Sequence, residues 1–246
     1  MTRTVLITGG AEGIGWATAR LFAARGNRVV IADLSGAQAR AAELGPAHQG
    51  ITLDVTDEGA VIAAFAALGR IDVLVNNAGI GDTHLPSTEQ QIDSFRRVLD
   101  VHLAGAFLMA REAGRQMIAQ GGGAIVNLSS IAGVVGLPRR NAYGAAKAGV
   151  SMMTRSLACE WAGAGVRVNA VAPGYARTAL VQKLVDAGRI DLDAIRRRVP
   201  MGRLIEPAEI AEAIWFLASP AASAITGVTL SVDGGWAAFG DFGDAT

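Results

Sequence analysis

"RTVLITGGAEGIG", residues 3–15, decides how the rest of the chain is read. Its first half, "RTVLIT" (3–8), is short, β-branched and almost continuously apolar, the pattern of a strand covered on both faces. Its second half, "TGGAEGIG" (8–15), spaces Gly9, Gly13 and Gly15 as G-x-x-x-G-x-G. Glycines at such a turn let backbone N–H groups approach a pyrophosphate. The helix that starts near Ile14 adds partial positive charge at its N-terminus. An isolated glycine pattern is equally a plain strand–helix turn, but its place directly after the opening strand favours a dinucleotide.

The next strand, "RVVIAD" (28–33), ends on Asp33, 24 residues after Gly9. A carboxylate there accepts hydrogen bonds from the adenosine ribose hydroxyls and repels a 2′-phosphate. Leu34 follows it where an arginine would favour the phosphate, and Glu12 occupies the glycine loop where a base could compensate. Two acids and no base near that ribose favour NAD over NADP. The alternative for Asp33 is an ordinary aspartate at a strand end.

Strand and helix patterns then alternate to the C-terminus. Further strands are read at 50–55, 71–77, 123–130, 166–173 and 227–235. Helices are read to about Leu44, over 58–68, from a Ser87-x-x-Gln90 capping box to about Gln120, from an Asn141 cap to about Ala162, and from Pro207 to about Ala218. Seven apolar strands separated by helices imply an α/β fold. Its mostly parallel seven-stranded sheet would carry helices on both faces. No linker, repeat or low-complexity run divides residues 1–246, so one domain is expected.

Composition narrows the classes. Hydrophobic residues make up 51% of the 246 and charged residues 18%, with a formal net charge of zero. That is globular and carries no basic surplus for nucleic acid. No apolar run reaches membrane-spanning length, and the N-terminus, entering a strand at once, is unlike a signal peptide. One cysteine, Cys159, excludes an intramolecular disulfide and a cysteine metal site and fits a cytoplasmic setting; within "RSLACEWAG" it reads as a buried structural thiol. No His/Asp/Glu cluster has metal-ligand spacing, so no metal is expected.

The chain has only two lysines and two tyrosines, yet "YGAAK" places Tyr143 and Lys147 four apart, on one face of a helix. A phenol with a pKa of about 10 is a poor base at neutral pH, and a nearby ammonium would favour its phenolate. Ser130, thirteen residues ahead of Tyr143, could hydrogen-bond a substrate oxygen, with Ser129 competing for that role.

Taken together, TGxxxGxG, "NNAG" (76–79), Ser130, Tyr143-x-x-x-Lys147 and "PG" (173–174) with Thr178 resemble the short-chain dehydrogenase/reductase family, in order and spacing, over nearly the whole chain. The resemblance implies a Rossmann-type, doubly wound seven-stranded sheet and NAD(P)-dependent hydride transfer, with Tyr143 as acid/base, Lys147 lowering its pKa and holding the nicotinamide ribose, and Ser130 positioning the substrate. It implies Asp54, Val55, Asn77, Ala78 and Gly79 along the adenosine side, with Pro173, Gly174, Ala176 (by its backbone) and Thr178 toward the carboxamide. It also implies a homotetramer packed through the helices at 90–120 and 142–162. His102, in "LDVHLAGAF" (99–107), stands where the family usually has an asparagine that helps hold a water linking the lysine to solvent. His102 is therefore a candidate for the proton relay, beside the plainer reading of a half-buried histidine.

The expected activity is NAD-dependent interconversion of a secondary alcohol and a ketone, with a polyol, sugar or related hydroxy compound as substrate. The alternatives are a 3-oxoacyl-thioester reductase and, from another class, a dinucleotide-binding regulator without turnover. Substrate contacts are expected from 81–87, 131–140 and 175–200, with 174–206 as a mobile lid. Arg139 and Arg140 could meet an anionic substrate or be surface charges.

Overall fold

Strands made of consecutive Val, Leu and Ile bury both faces, and that requirement sets the architecture. In the computed structural model, which describes residues 2–188, 190–241 and 243–245, seven strands form one sheet. They are β1 (Thr4–Thr8), β2 (Arg28–Asp33), β3 (Gln49–Thr52), β4 (Val73–Asn76), β5 (Gly123–Leu128), β6 (Val166–Pro173) and β7 (Thr229–Val232). Their order is β3-β2-β1-β4-β5-β6-β7 and every pairing is parallel, so the sheet is wholly rather than mostly parallel.

Side-chain alternation divides the core. Val5 and Ile7 of β1 point to one face, under α1 (Gly13–Ala24) and α9 (Pro207–Ala218), where Phe22, Ile210, Ile214 and Leu217 are buried. Leu6 points to the other face, under α3 (Glu58–Leu68), α5 (Gly105–Ala119) and α6 (Asn141–Trp161). Helix α2 (Ala37–Leu44) lies beside β2 and β3. The winding leaves β1 in one direction through β2 and β3, and in the other through β4 to β7. This opens a crevice at the C-terminal ends of β1 and β4.

The long helix expected over 90–120 is present from Ile92 to Ala119, starting after the Ser87–Gln90 stretch and carrying a π-helical turn within it. Ser87–Glu89 is a single 3₁₀ turn, α4 runs Ile92–Leu99, a π-helical turn covers Asp100–Ala104, and α5 follows. Ser87 does not cap a helix because its hydroxyl accepts from the Asn141 side chain. Gln90 donates to the Leu85 and Arg139 carbonyls instead. Asn141 is correspondingly the first residue of α6 rather than its cap. Cys159 is exposed on the outer side of α6, against the expectation of a buried thiol. Helices α7 (Ala179–Asp186) and α8 (Leu192–Arg198) fall inside the expected lid, of which Arg189 lies outside the described residues. They carry a small core of their own, with Ile195, Val199 and Leu204 against Tyr175 and Trp236.

A buried polar chain crosses the second layer. Asn76 Nδ2 donates to Asn127 Oδ1 at 2.9 Å, and Asn127 Nδ2 donates to Thr154 Oγ1 at 2.9 Å, tying β4 and β5 to α6. Asn127→Ala removes the acceptor of one Asn76 N–H and the donor to the Thr154 hydroxyl inside a buried layer. The expected loss is about 2–3 kcal/mol of unfolding free energy, to be read from denaturant melts; a change under about 0.5 kcal/mol would contradict it.

Candidate active site

Three consecutive residues at the end of β5 grip α6. Lys147 Nζ donates to the Leu128 carbonyl at 2.6 Å. Ser129 Oγ donates to the Lys147 carbonyl at 3.0 Å and lies 2.7 Å from Ser151 Oγ. Ser130 faces the opposite way, where its side chain hydrogen-bonds with the Tyr143 hydroxyl. Alternation along extended backbone thus separates the two serines: Ser129 braces the helix and Ser130 reaches the phenol.

The charges around Tyr143 differ from the sequence expectation. Burial pushes its pKa up; the Ser130 hydrogen bond and the Arg140 guanidinium work against that rise, and Asp82 adds to it. Arg140 Cζ sits 4.5 Å from the Tyr143 ring centroid, while Lys147 Nζ is 5.6 Å away. Arg140 is therefore the nearer cation. The sequence signal for it was present: three residues before Tyr143, at the helix entry, it shares the tyrosine's face. Lys147 is itself pushed down to about 7 by burial, so its amine lies near its own titration point at neutral pH.

His102 lies in the π-helical turn and is buried. Its ring meets Tyr143 edge-on at 5.2 Å, and its Nε2 lies 3.1 Å from the Ile80 N–H and 2.9 Å from the Ile80 carbonyl. Gly79 has no room for a side chain there, since a Cβ would fall 2.4 Å from His102 Cε1. Burial and the neighbouring Lys147 charge hold the imidazole down to about 3. Held in that state, the ring is placed by its geometry as a brace for the loop after β4.

At the other end of the crevice, Gly9 has φ +60° and a Cβ on it would lie 2.9 Å from Ala78 Cα. Asn77 Nδ2 donates to the Gly9 carbonyl at 2.8 Å and the Thr8 carbonyl at 3.1 Å, fastening β4 to the glycine loop. Asp33 Oδ2 accepts from Ala11 N at 3.0 Å. Asp54 is held below the usual carboxylate range by the Thr56 hydroxyl and N–H. Thr178 caps α7 and its methyl would lie 3.4 Å from a Cβ placed on Gly13, so the start of α7 stands directly over the glycine loop. Gly174 N donates to the Val232 carbonyl at 3.0 Å, and Ala176 bridges to Ile205.

These residues line one cleft of about 830 Å³. Glu12, Gly13, Ile14, Asp33, Leu34, Asp54, Val55, Asn77, Ala78, Gly79, Pro173, Gly174, Ala176 and Thr178 all reach it, as do Gly9, His102, Ser130, Tyr143 and Lys147. Gly15 does not; it packs behind Gly9, where a Cβ would fall 2.1 Å from the Gly9 carbonyl. One base near the loop escaped the sequence reading: Arg40 Nε donates to the Ala11 carbonyl at 3.0 Å, but its guanidinium is paired with Glu43 and it does not line the cleft. Among the described residues, no group of three or more His, Cys, Asp or Glu could hold a metal, and no helix is long and apolar enough to cross a membrane.

The buried amine gives a pH signature. Unfolded, Lys147 keeps its proton to about 10.5; folded, it loses it at about 7. Between those values the unfolded chain binds the extra proton, so stability rises with pH across that window, and below it the cost of a buried charge is felt in full. Lys147→Met removes this slope. The unfolding free energy of the unsubstituted protein minus that of the variant should climb by about 1.4 kcal/mol per pH unit within the window. A pH-independent difference in denaturant melts would refute it.

Comparison with known proteins places these features in a family. Residues 9–237 match a family model described as enoyl-(acyl carrier protein) reductase. A relative from Sinorhizobium fredii, named an uncharacterized short-chain type dehydrogenase/reductase, is 50% identical over 240 residues, covering 95% of this chain and 43% of that protein, so the chain spans under half of its length. Cis-4-hydroxycyclohexanecarboxylate dehydrogenase of Sinomonas cyclohexanicum is 50% identical, covering 96% of this chain and 97% of its own. D-threitol dehydrogenase of Mycolicibacterium smegmatis is 43% identical over 95% and 92% of the two chains. Among solved structures, ElxO with NADP bound superposes with a TM-score of 0.91 at 35% identity, covering 97% of this chain and 100% of that one. With the parallel sheet, the glycine loop and the Ser130–Tyr143–Lys147 grouping in place, the chain belongs to the short-chain dehydrogenase/reductase family, as an oxidoreductase acting on CH–OH groups.

Proposed function

We propose that this protein is an NAD-dependent dehydrogenase that interconverts a secondary alcohol and a ketone within a single domain, 1–246. The observation that carries the reading is the Tyr143 hydroxyl, hydrogen-bonded to Ser130, with Lys147 buried one helical turn away, in the same cleft as Asp33. The residues present fit a dinucleotide. The bare Gly9 and Gly13 leave the cleft side of the loop open, Gly15 lets the loop close behind Gly9, Asp33 stands at the ribose end, and Thr178 overhangs Gly13. When bound, the nicotinamide supplies a hydride acceptor or donor.

The chain's own residues handle the oxygen and its proton. The Ser130 hydroxyl holds the substrate oxygen. The Tyr143 phenolate takes the hydroxyl proton during oxidation and returns it during reduction. Lys147, near its titration point, holds the nicotinamide ribose. His102 keeps the loop after β4 in register. Segment 174–206 acts as the lid. NAD is favoured because Asp33 meets the ribose and the nearby Arg40 is spent on Glu43. The same argument disfavours a 3-oxoacyl-thioester reductase running on NADPH. A non-catalytic regulator has less support still, since Ser130, Tyr143 and Lys147 converge.

Titration with NAD and NADP, followed by turnover on polyols, hydroxy acids and ring alcohols, tests the reading. NAD should give the higher kcat/KM by at least about tenfold. Tyr143→Phe should lower kcat by about a thousandfold or more while NADH still binds. Binding without turnover on every alcohol would favour the regulator; NADP preference would overturn the Asp33 argument. We also propose a homotetramer, supported by exposed Phe107 and Ile118 on α5 and Met152 on α6. Light scattering should read four times the 25.3 kDa chain mass, and a monomer would refute it.

A further inference from the structure

The cleft is electrically lopsided. Its adenosine end is lined by Glu12, Asp33 and Asp54, with Arg97 at the rim. Its substrate end, past Tyr143, is lined by Arg139 and Arg140 against a single acid, Asp82. Two loops make that end. Gln90 Nε2 donates across to the Arg139 carbonyl at 3.3 Å, and the Asn141 side chain donates to the Ser87 hydroxyl, stitching 82–90 to 139–141. His84 and Arg139, the two non-glycine residues with positive φ among the described residues (60° and 65°), sit one in each loop. Such strain persists where surrounding structure over-determines it, commonly at ligand sites.

The pairing around Arg140 is incomplete. His84 Nδ1 lies 2.9 Å from the Asp82 carbonyl, which can only accept, so Nδ1 carries the proton and Nε2 accepts from Arg140 Nη1. His84 takes one of the guanidinium's five N–H groups. Asp82 Oδ1 accepts from Thr83 N at 2.7 Å. Asp82 Oδ2 and Arg140 Nε are both buried without a hydrogen-bond partner, held 3.7 Å apart. The Arg140 side chain is 21% exposed and Asp82 2%. A largely desolvated cation over the catalytic ring, with donors left over and its counter-ion beyond hydrogen-bond reach, is a site for an anion.

The geometry points to Arg140 as the specificity residue of this enzyme, binding a carboxylate carried by the substrate a few bonds from the reacting carbinol carbon. The substrate class is then a hydroxy acid rather than a neutral polyol, a distinction on which the names of the relatives divide. Arg139, exposed beside it, adds charge at the mouth, and Asp82 holds Arg140 in place without neutralising it at hydrogen-bond distance. This rests on the proposed dehydrogenase reading, since the reacting carbon is placed by Tyr143.

Isothermal titration of the NADH-bound protein with cyclohexanecarboxylate and with cyclohexanecarboxamide, repeated without NADH, tests it. The acid should bind about tenfold or more tightly than the amide, and Arg140→Gln should erase that ratio while NADH affinity, the folding control, stays unchanged. Equal affinities in the unsubstituted protein, no measurable binding of the acid, or an acid preference that survives Arg140→Gln would each overturn the assignment. Failure to bind NADH would instead strike the dehydrogenase reading, and the comparison without NADH would still decide the role of Arg140.

Discussion

The site depends on how closely the first turns of α6 dock against the end of β5. Leu128, Ser129 and Ser130 meet, in turn, the Lys147 amine, the Lys147 carbonyl and the Tyr143 hydroxyl. The approach is tight enough that a Cβ on Gly133 would lie 2.6 Å from the Lys147 backbone. Because successive residues of extended backbone face opposite ways, one short segment braces a helix and presents a hydroxyl to the chemistry. The buried chain through Asn127 and Thr154 fixes the same helix about two turns further along. Loosening either contact would move the phenol relative to the cleft without touching the phenol itself.

Burial at this junction carries an energetic consequence that the function uses. A lysine amine taken out of water gives up its proton more readily, and a phenol taken out of water holds its proton more tightly. Left alone, these shifts spread two proton affinities that are ordinarily near-equal, leaving the amine at about 7 and the phenol above its ordinary value of 10.0, which disfavours the phenolate. The hydrogen bond from Ser130 and the charge of Arg140 act in the other direction. The neutral His102, pinned to Ile80, supplies shape rather than charge. Catalytic polarity here is thus set by several modest terms from four elements.

Much of this was legible in the chain. Strands are read from runs such as "RTVLIT" and "VRVNAVAP" because a parallel sheet covered on both faces needs continuous apolar sequence. Tyr143 and Lys147 stand out because helical spacing puts them on one face and the chain has so few of either residue type. The π-helical turn after Leu99 was not legible, and neither was the contact made from it by His102 to the Ile80 backbone, which joins two separate segments. The failed Ser87 cap has the same origin: its hydroxyl is claimed by Asn141, 54 residues away. Cys159 was misplaced because its neighbours Leu157 and Ala158 are buried while the helix turns it outward.

Local periodicity, turn chemistry and residue rarity were sufficient, by themselves, to determine the parallel Rossmann-type sheet, the glycine loop, the acid at Asp33 and the pairing of Tyr143 with Lys147. All of these rest on interactions within a few residues or on composition. Tertiary structure alone decided which serine meets the phenol, which cation lies nearest to it, whether His102 can titrate, and that Arg140 faces a buried carboxylate just beyond hydrogen-bond distance. Each of those turns on burial and on distances between segments far apart in the chain, and an electrostatic interaction that changes over a few ångströms leaves no mark on sequence spacing.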